Sequence, residues 1–114
     1  MTPTTQARLN GMQVTIVVLT FATGLIHLVK GFTDGLVMFI ANGLGYFALA
    51  TVAYLPIAAL ARYRRPARWA LLAFIAVTII GWVLIGERSV IGFTDKAIEV
   101  VLIVLVYMDI RKQE

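Results

Sequence analysis

Few side chains in this 114-residue chain are equipped for chemistry, and the ones that are sit in apolar surroundings. His27 is the only histidine, while Asn42, Glu87 and Glu99 lie in or beside long apolar stretches. Ionisable groups in such surroundings are costly unless paired, so each marks a candidate site. His27 falls near the end of the first stretch and Asn42 about two turns into the second. Glu87 closes the third stretch, and Glu99 lies about one turn into the fourth. If the stretches are helices of a bundle, all four groups fall at one level and are expected to converge into a polar cluster. A His–Glu pair there would relay a proton or bind a cation or polar headgroup, because each partner favours the other's charged form. The plainer alternative has His27 hydrogen-bonding a neighbouring helix while Glu87 and Glu99 snorkel to water.

Other chemistries find less support. The chain has no cysteine, which excludes disulfides, thiolate metal sites and thiol nucleophiles. One histidine and scattered carboxylates form no spaced ligand set, so no metal is expected. There is no Ser–His–Asp spacing and no metalloprotease motif; an enzyme is not expected, no residue is assigned as catalytic, and no cofactor is expected. Gly43 and Gly45 lie inside an apolar stretch and make no phosphate loop. Ala41, Gly45 and Ala48 share one helical face and read as a small-residue packing strip. Thr20, Thr23, Gly24 and His27 form a similar seam in the first stretch, continuing back toward Gln13.

The elements that must position these groups are four apolar stretches, at about 12–29, 36–60, 69–85 and 97–110. Hydrophobic residues make up 61% and charged residues 14% of the chain, against roughly 45–50% and about 25% in ordinary soluble domains. A chain this short would bury only about 60–70% of its unfolded surface in water, so lipid is the solvent that fits. The expected fold is an all-α membrane protein: one domain over 1–114, a four-transmembrane-helix bundle in up-down order. The stretch after Arg8 reads as a retained first helix rather than a cleaved signal, since no A-x-A site follows it. The fourth stretch is short for a span. Lys30 and Gly31 are expected to close the first helix, Thr33 and Asp34 to cap the second, and Thr94 and Asp95 to cap the fourth. Pro56 is expected to kink the second helix one turn before its end, and Pro66 to break the loop that follows.

Charge sets the expected topology. Arg8, Arg62, Arg64, Arg65, Arg68, Arg111 and Lys112 fall on one side of the stretches, and Lys30, Arg88 and Lys96 on the other. That bias places both termini and the middle loop in the cytoplasm, in the plasma membrane of a prokaryote. Trp69, Tyr63 and Tyr107 then mark one interface, and Phe32, Phe93 and Trp82 the other. The loop arginines Arg62, Arg64, Arg65 and Arg68 serve topology first, with an anionic lipid or partner contact as the alternative. A net charge of +4 arranged this way has no basic helical face for nucleic acid. Gly31-Phe32-Thr33-Asp34 recurs as Gly92-Phe93-Thr94-Asp95, which reads either as two repeated helical hairpins or as convergent turns.

The pattern of His27, Asn42-Gly43-Leu44-Gly45-Tyr46 and Asp95-Lys96-Ala97-Ile98-Glu99 resembles small four-helix integral membrane proteins of bacteria and archaea. That resemblance implies a fold and no activity. Small multidrug transporters and fluoride channels share the size and helix count, but the first lack their match here in a mid-helix acid and the second in a pore arginine. Three function classes follow. The first is a non-enzymatic accessory or assembly subunit, packing its small-residue seams on a membrane partner or on itself. The second is a homo-oligomeric transporter or channel for a proton, cation or small metabolite. The third is a pigment- or haem-binding subunit using His27. The expected cytoplasmic halves offer chiefly Thr15, Thr51, Tyr54 and Thr78, which favours the first class over a pore.

Overall fold

A computed structural model describes residues 9–113, with the side chains of all but the last; Arg8, counted above in the topology, lies outside them. Four α-helices follow one another: α1 (Gly11–Asp34), α2 (Val37–Tyr54), α3 (Arg64–Ile85) and α4 (Val90–Gln113). A 3₁₀ segment, Ala58–Tyr63, joins α2 to α3. α1 packs on α2 and α4, and α3 packs on the same two helices, so α1 and α3 sit on a diagonal of the bundle. The molecule measures 49 × 23 × 20 Å. The α1–α2 and α3–α4 turns share the hairpin end; the 3₁₀ segment lies at the termini end.

Several helix boundaries differ from expectation, each for a local reason. α1 runs past Lys30 and Gly31 to Asp34 and ends at Gly35, whose φ of 68° is the left-handed conformation a helix stop favours. Leu36 N–H also bonds Gly31 O at 2.8 Å, closing the turn. Gly31 instead serves packing: a Cβ there would lie 2.6 Å from Ile40 Cγ1 on α2. Thr33 and Asp34 consequently belong to the last turn of α1 and do not cap α2, whose N-cap, Leu36, makes no side-chain bond. α2 stops at Tyr54, short of Leu60, because Pro56 drives Leu55 into an extended conformation (ψ 141°) rather than kinking the helix. Pro66 lies inside the first turn of α3, where its missing N–H costs nothing.

The fourth helix departs furthest. It begins at Val90, with Ser89 Oγ accepting from Gly92 N–H at 3.0 Å, so Thr94 and Asp95 are helical and cap nothing. Its 24 residues make it about 36 Å long. The two Gly-Phe-Thr-Asp sequences therefore occupy different places, one ending α1 and the other in the opening turns of α4. Their repetition does not mark equivalent positions of two hairpins.

Three segments are long and apolar enough to cross a membrane: Gly11–Asp34, Val37–Tyr54 and Ala58–Ile85. The core is assembled from Ile16, Tyr46, Ala53, Tyr54, Leu71, Ile75, Leu102, Val106 and Ile110. Outside it, Val18, Leu25, Val77, Ile80, Leu84 and Val104 are all more than half exposed. These side chains give the bundle an extensive exposed apolar surface.

The seam on α1 is buried as its spacing suggests: Gln13, Thr20, Thr23, Gly24 and His27 all face inward. The strip assigned to α2 is packed in part. Ala41 and Ala48 are exposed, and Gly45 alone meets a neighbour, with Phe74 where its Cβ would go. The close crossing runs through Gly43 instead, where a Cβ would lie 2.6 Å from Gly24 O. Gly43→Val should therefore destabilise the protein by about 1–3 kcal/mol, whereas Gly81→Ala, with open space around it, should leave the unfolding midpoint in detergent unchanged or higher.

Candidate functional site

Two of the four expected cluster residues meet, and two do not. His27 and Glu99 converge at the hairpin end with Thr23 on α1, Tyr46 on α2, and Asp95 and Lys96 on α4. Glu87 stays at the surface, its carboxylate 3.0 Å from Lys30 Nζ, which also pairs with Asp34 at 2.9 Å. Asn42 turns toward α3 and donates to Thr78 Oγ1 at 2.9 Å, leaving its buried Oδ1 without a hydrogen bond.

The cluster is built on the register of α4. Asp95 and Glu99 are one turn apart and share a face. Lys96, beside the first, folds back over both: its Nζ lies 2.6 Å from Glu99 Oε1 and 3.0 Å from Asp95 Oδ2. α1 supplies Thr23, whose hydroxyl oxygen stands 2.5 Å from Asp95 Oδ1 and 2.9 Å from Glu99 Oε2. Tyr46 OH donates to the same Glu99 oxygen at 2.8 Å. Glu99 is fully buried, and Asp95, His27 and Lys96 are exposed by only 3%, 6% and 8%.

His27 is oriented by its own helix. Its Nδ1 lies 2.8 Å from Thr23 O; a carbonyl only accepts, so Nδ1 carries the hydrogen. The ring packs against Phe39 and Tyr46. Nε2 then faces Asp95 Oδ2 at 3.7 Å, longer than a hydrogen bond. One ligand atom each from His27, Asp95 and Glu99 can be chosen within 4.8 Å of one another. A histidine anchored through its other nitrogen to a backbone carbonyl is the usual arrangement around a bound cation. Lys96 already occupies the space between the carboxylates, so a cation would have to displace or neighbour it. A crevice of about 50 Å³ leads to this group from the hairpin end, lined by His27, Lys30, Trp82, Glu87, Asp95 and Lys96 among others.

A second buried group lies at the termini end, where none was expected. Asp109 is fully buried and accepts from Gln13 Nε2 at 3.2 Å and Tyr54 OH at 3.1 Å. Arg68 stands 3.5 Å from it, stacks over the Tyr54 ring at 4.5 Å and donates from Nε to Ala53 O at 2.9 Å. That carbonyl is one of those α2 leaves free at its end. Gln13 has a second role: its Oε1 and backbone N–H complete a capping box with Asn10. Arg68 is the loop arginine seen in this group, whereas Arg62 bonds Tyr63 OH and Arg64 bonds Ile57 O.

Asp95, Lys96, Asp109 and Arg68 escaped the sequence reading because each had a simpler role at a boundary. A signal was present. Asp95, Glu99, Leu102, Val106 and Asp109 recur at intervals of four and three, one continuous face of a helix, and all are buried.

Comparison with protein-family models, with curated proteins and with solved structures finds no match to this chain. The chemistry of the site accordingly rests on its own geometry.

At the termini end, Arg68→Met should destabilise the protein by about 3–5 kcal/mol, because Asp109 is left buried without its cation. Combining it with Asp109→Leu should recover most of that loss. Equilibrium unfolding of both variants in mixed detergent micelles measures the difference.

Proposed function

We propose that the chain crosses the cytoplasmic membrane of a prokaryote four times, with both termini inside, and that its hairpin-end cluster binds a proton or small cation for transport. Support for the fourth span comes from how α4 divides its surface. Asp95, Lys96, Glu99 and Asp109 are all buried, while Val100, Val101, Val104 and Met108 are exposed. Charges that exclude α4 by composition are paired inside the bundle, and the face left over is apolar. Exposed Phe32 and Phe93 at one end, and Tyr63, Trp69 and Tyr107 at the other, suit two interfacial belts.

The observation that carries the transport reading is the buried grouping of His27, Asp95 and Glu99 around Lys96, reached by a crevice from the hairpin end. The termini end has its own ion pair, and the layer between holds Ile16, Leu71, Ile75, Leu102 and Val106. Polar groups at both ends of a dry middle suit a carrier that exposes one end at a time, better than an open pore. The reading is non-enzymatic. Pigment or haem ligation through His27 is the weaker reading, because the His27 ring is buried against Phe39 and Tyr46 with Nε2 turned to Asp95. The accessory-subunit reading draws on a different observation: Ala41 and Ala48 form an exposed small-residue surface on α2 to which another helix could approach closely.

Orientation is tested with single cysteines, since the native chain has none. A membrane-impermeant maleimide should label Thr33→Cys in intact spheroplasts and Ala59→Cys only after lysis. Function is tested in proteoliposomes carrying an internal pH dye, with imposed sodium or potassium gradients. Proton movement should fall at least tenfold in Glu99→Gln and persist in Thr94→Ala. Absence of flux, together with a stoichiometric partner on gentle extraction, would favour the accessory role.

A further inference from the structure

Resting on the reading of the hairpin-end cluster as a cation centre, we propose that the cation it takes is a divalent transition metal. His27 Nε2 and one oxygen each of Asp95 and Glu99 hold the ion, and Lys96 is the internal cation that it displaces.

The two carboxylates divide their oxygens between scaffold and cation. Asp95 Oδ1 and Glu99 Oε2 lie against the Thr23 hydroxyl, and Glu99 Oε2 also accepts from Tyr46 OH. The other two, Asp95 Oδ2 and Glu99 Oε1, are the pair that Lys96 Nζ bridges at 3.0 Å and 2.6 Å. Withdrawal of the ammonium frees one oxygen on each acid while α1 and α2 keep both acids in place. Hydrogen bonds from an outer shell orient metal-ligating carboxylates in the same way.

His27 supplies an independent observation. It is only 6% exposed, and its Nδ1 hydrogen is committed to Thr23 O. Among the described residues Nε2 makes no hydrogen bond; it is aimed from 3.7 Å at Asp95 Oδ2, an oxygen that Lys96 holds. A neutral imidazole with its hydrogen on Nδ1 presents a lone pair at Nε2. Two ligand atoms about 2.1 Å from one ion stand up to about 4 Å apart, so a single ion spans this gap.

Ligand type then selects the ion. Imidazole nitrogen suits zinc, iron and nickel, and carboxylate oxygen suits manganese, so the mixed set favours first-row dications. Sodium, potassium and magnesium gain little from a nitrogen ligand. A dication also matches the two carboxylates in charge. Lys96 keeps its own charge and has a flexible four-carbon stem. It lines the same crevice as Glu87, toward which the displaced ammonium swings. The exchange breaks the two Lys96 ion pairs and forms three metal–ligand bonds, with no electron transferred.

Manganese(II) chloride is the probe, added to purified, chelator-treated protein whose tag lacks histidine. His27 is the only histidine, so histidine labelled with the heavy nitrogen isotope marks it without a substitution. Loss of the free-ion paramagnetic resonance signal should show one manganese bound per wild-type chain. Pulsed spectra of the bound ion should show a nitrogen coupling that changes with the label. Lys96→Gln should bind manganese at least about tenfold more tightly, and Asp95→Asn and Glu99→Gln at least about tenfold more weakly. An excess of sodium or magnesium of about a hundredfold should displace none of it.

No manganese bound by either wild type or Lys96→Gln overturns the metal site; proton movement in the proteoliposomes would then leave the broader reading standing. A nitrogen coupling indifferent to the label overturns His27 as a ligand. Weaker binding in Lys96→Gln overturns displacement, and competition by sodium or magnesium overturns the class of ion. Manganese bound as expected, with no ion crossing the proteoliposome membrane, upholds the site and removes transport.

Discussion

Lys96 reaching back over Asp95 and Glu99, at 3.0 Å and 2.6 Å, is the contact that allows α4 to take part in the bundle at all. Without it, two carboxylates one turn apart would be buried with no lysine between them, and the desolvation penalty would exceed what packing returns. With it, both acids gain a cation from their own helix. Thr23 and Tyr46 then supply the remaining hydrogen bonds from α1 and α2. Register follows from this: a slip of one residue along α4 would rotate both acids away from those donors. Polar pairing of this kind contributes uniqueness of arrangement more than net stability.

The same solution is used at both ends of the molecule. α2 contributes a tyrosine to each carboxylate, Tyr46 to Glu99 and Tyr54 to Asp109. A cation comes from α4 at one end and from Arg68 on α3 at the other. Between them Leu102 and Val106 face Ile16, Leu71 and Ile75 in a layer that offers water no partners. Close approach of α1 and α2 at Gly24, Gly31 and Gly43 brings the donors within reach. Larger residues at these positions would push the helices apart and lengthen every bond from α2 to α4. Packing and polar chemistry are therefore one constraint here rather than two.

The two ends differ in access. Asp109 is enclosed by Gln13 on Oδ1 and by Tyr54 and Arg68 on Oδ2. The hairpin-end group keeps one edge, His27 Nε2, on a crevice bordered by the Lys30–Glu87 pair. The Asp109 group is therefore closed to a ligand in this arrangement. One with an unclosed edge has capacity for a ligand, and this asymmetry in access separates the two groups.

Much of this was legible in the residues themselves. Hydropathy over a window of helical length depends only on side-chain transfer energies, so four helices, their order and the apolar coat follow from composition. The inward seam of α1 follows from its 3.6-residue period. His27 and Glu99 were recognisable because an ionisable group in an apolar helix has few bland explanations. What tertiary structure alone decided is partnership. Asp95 and Lys96 read as boundary residues because a capping side chain and a buried one have the same local sequence until the helix start is known, and Ser89 moves that start back to Val90. Gly31 and Gly43 read as a stop and a spare because a glycine's reason lies in the atom opposite, Ile40 or Gly24 O. Asn42 and Glu87 share a level with the cluster but not a direction, and direction depends on rotation about helix axes, which is set by contacts between residues far apart in the chain.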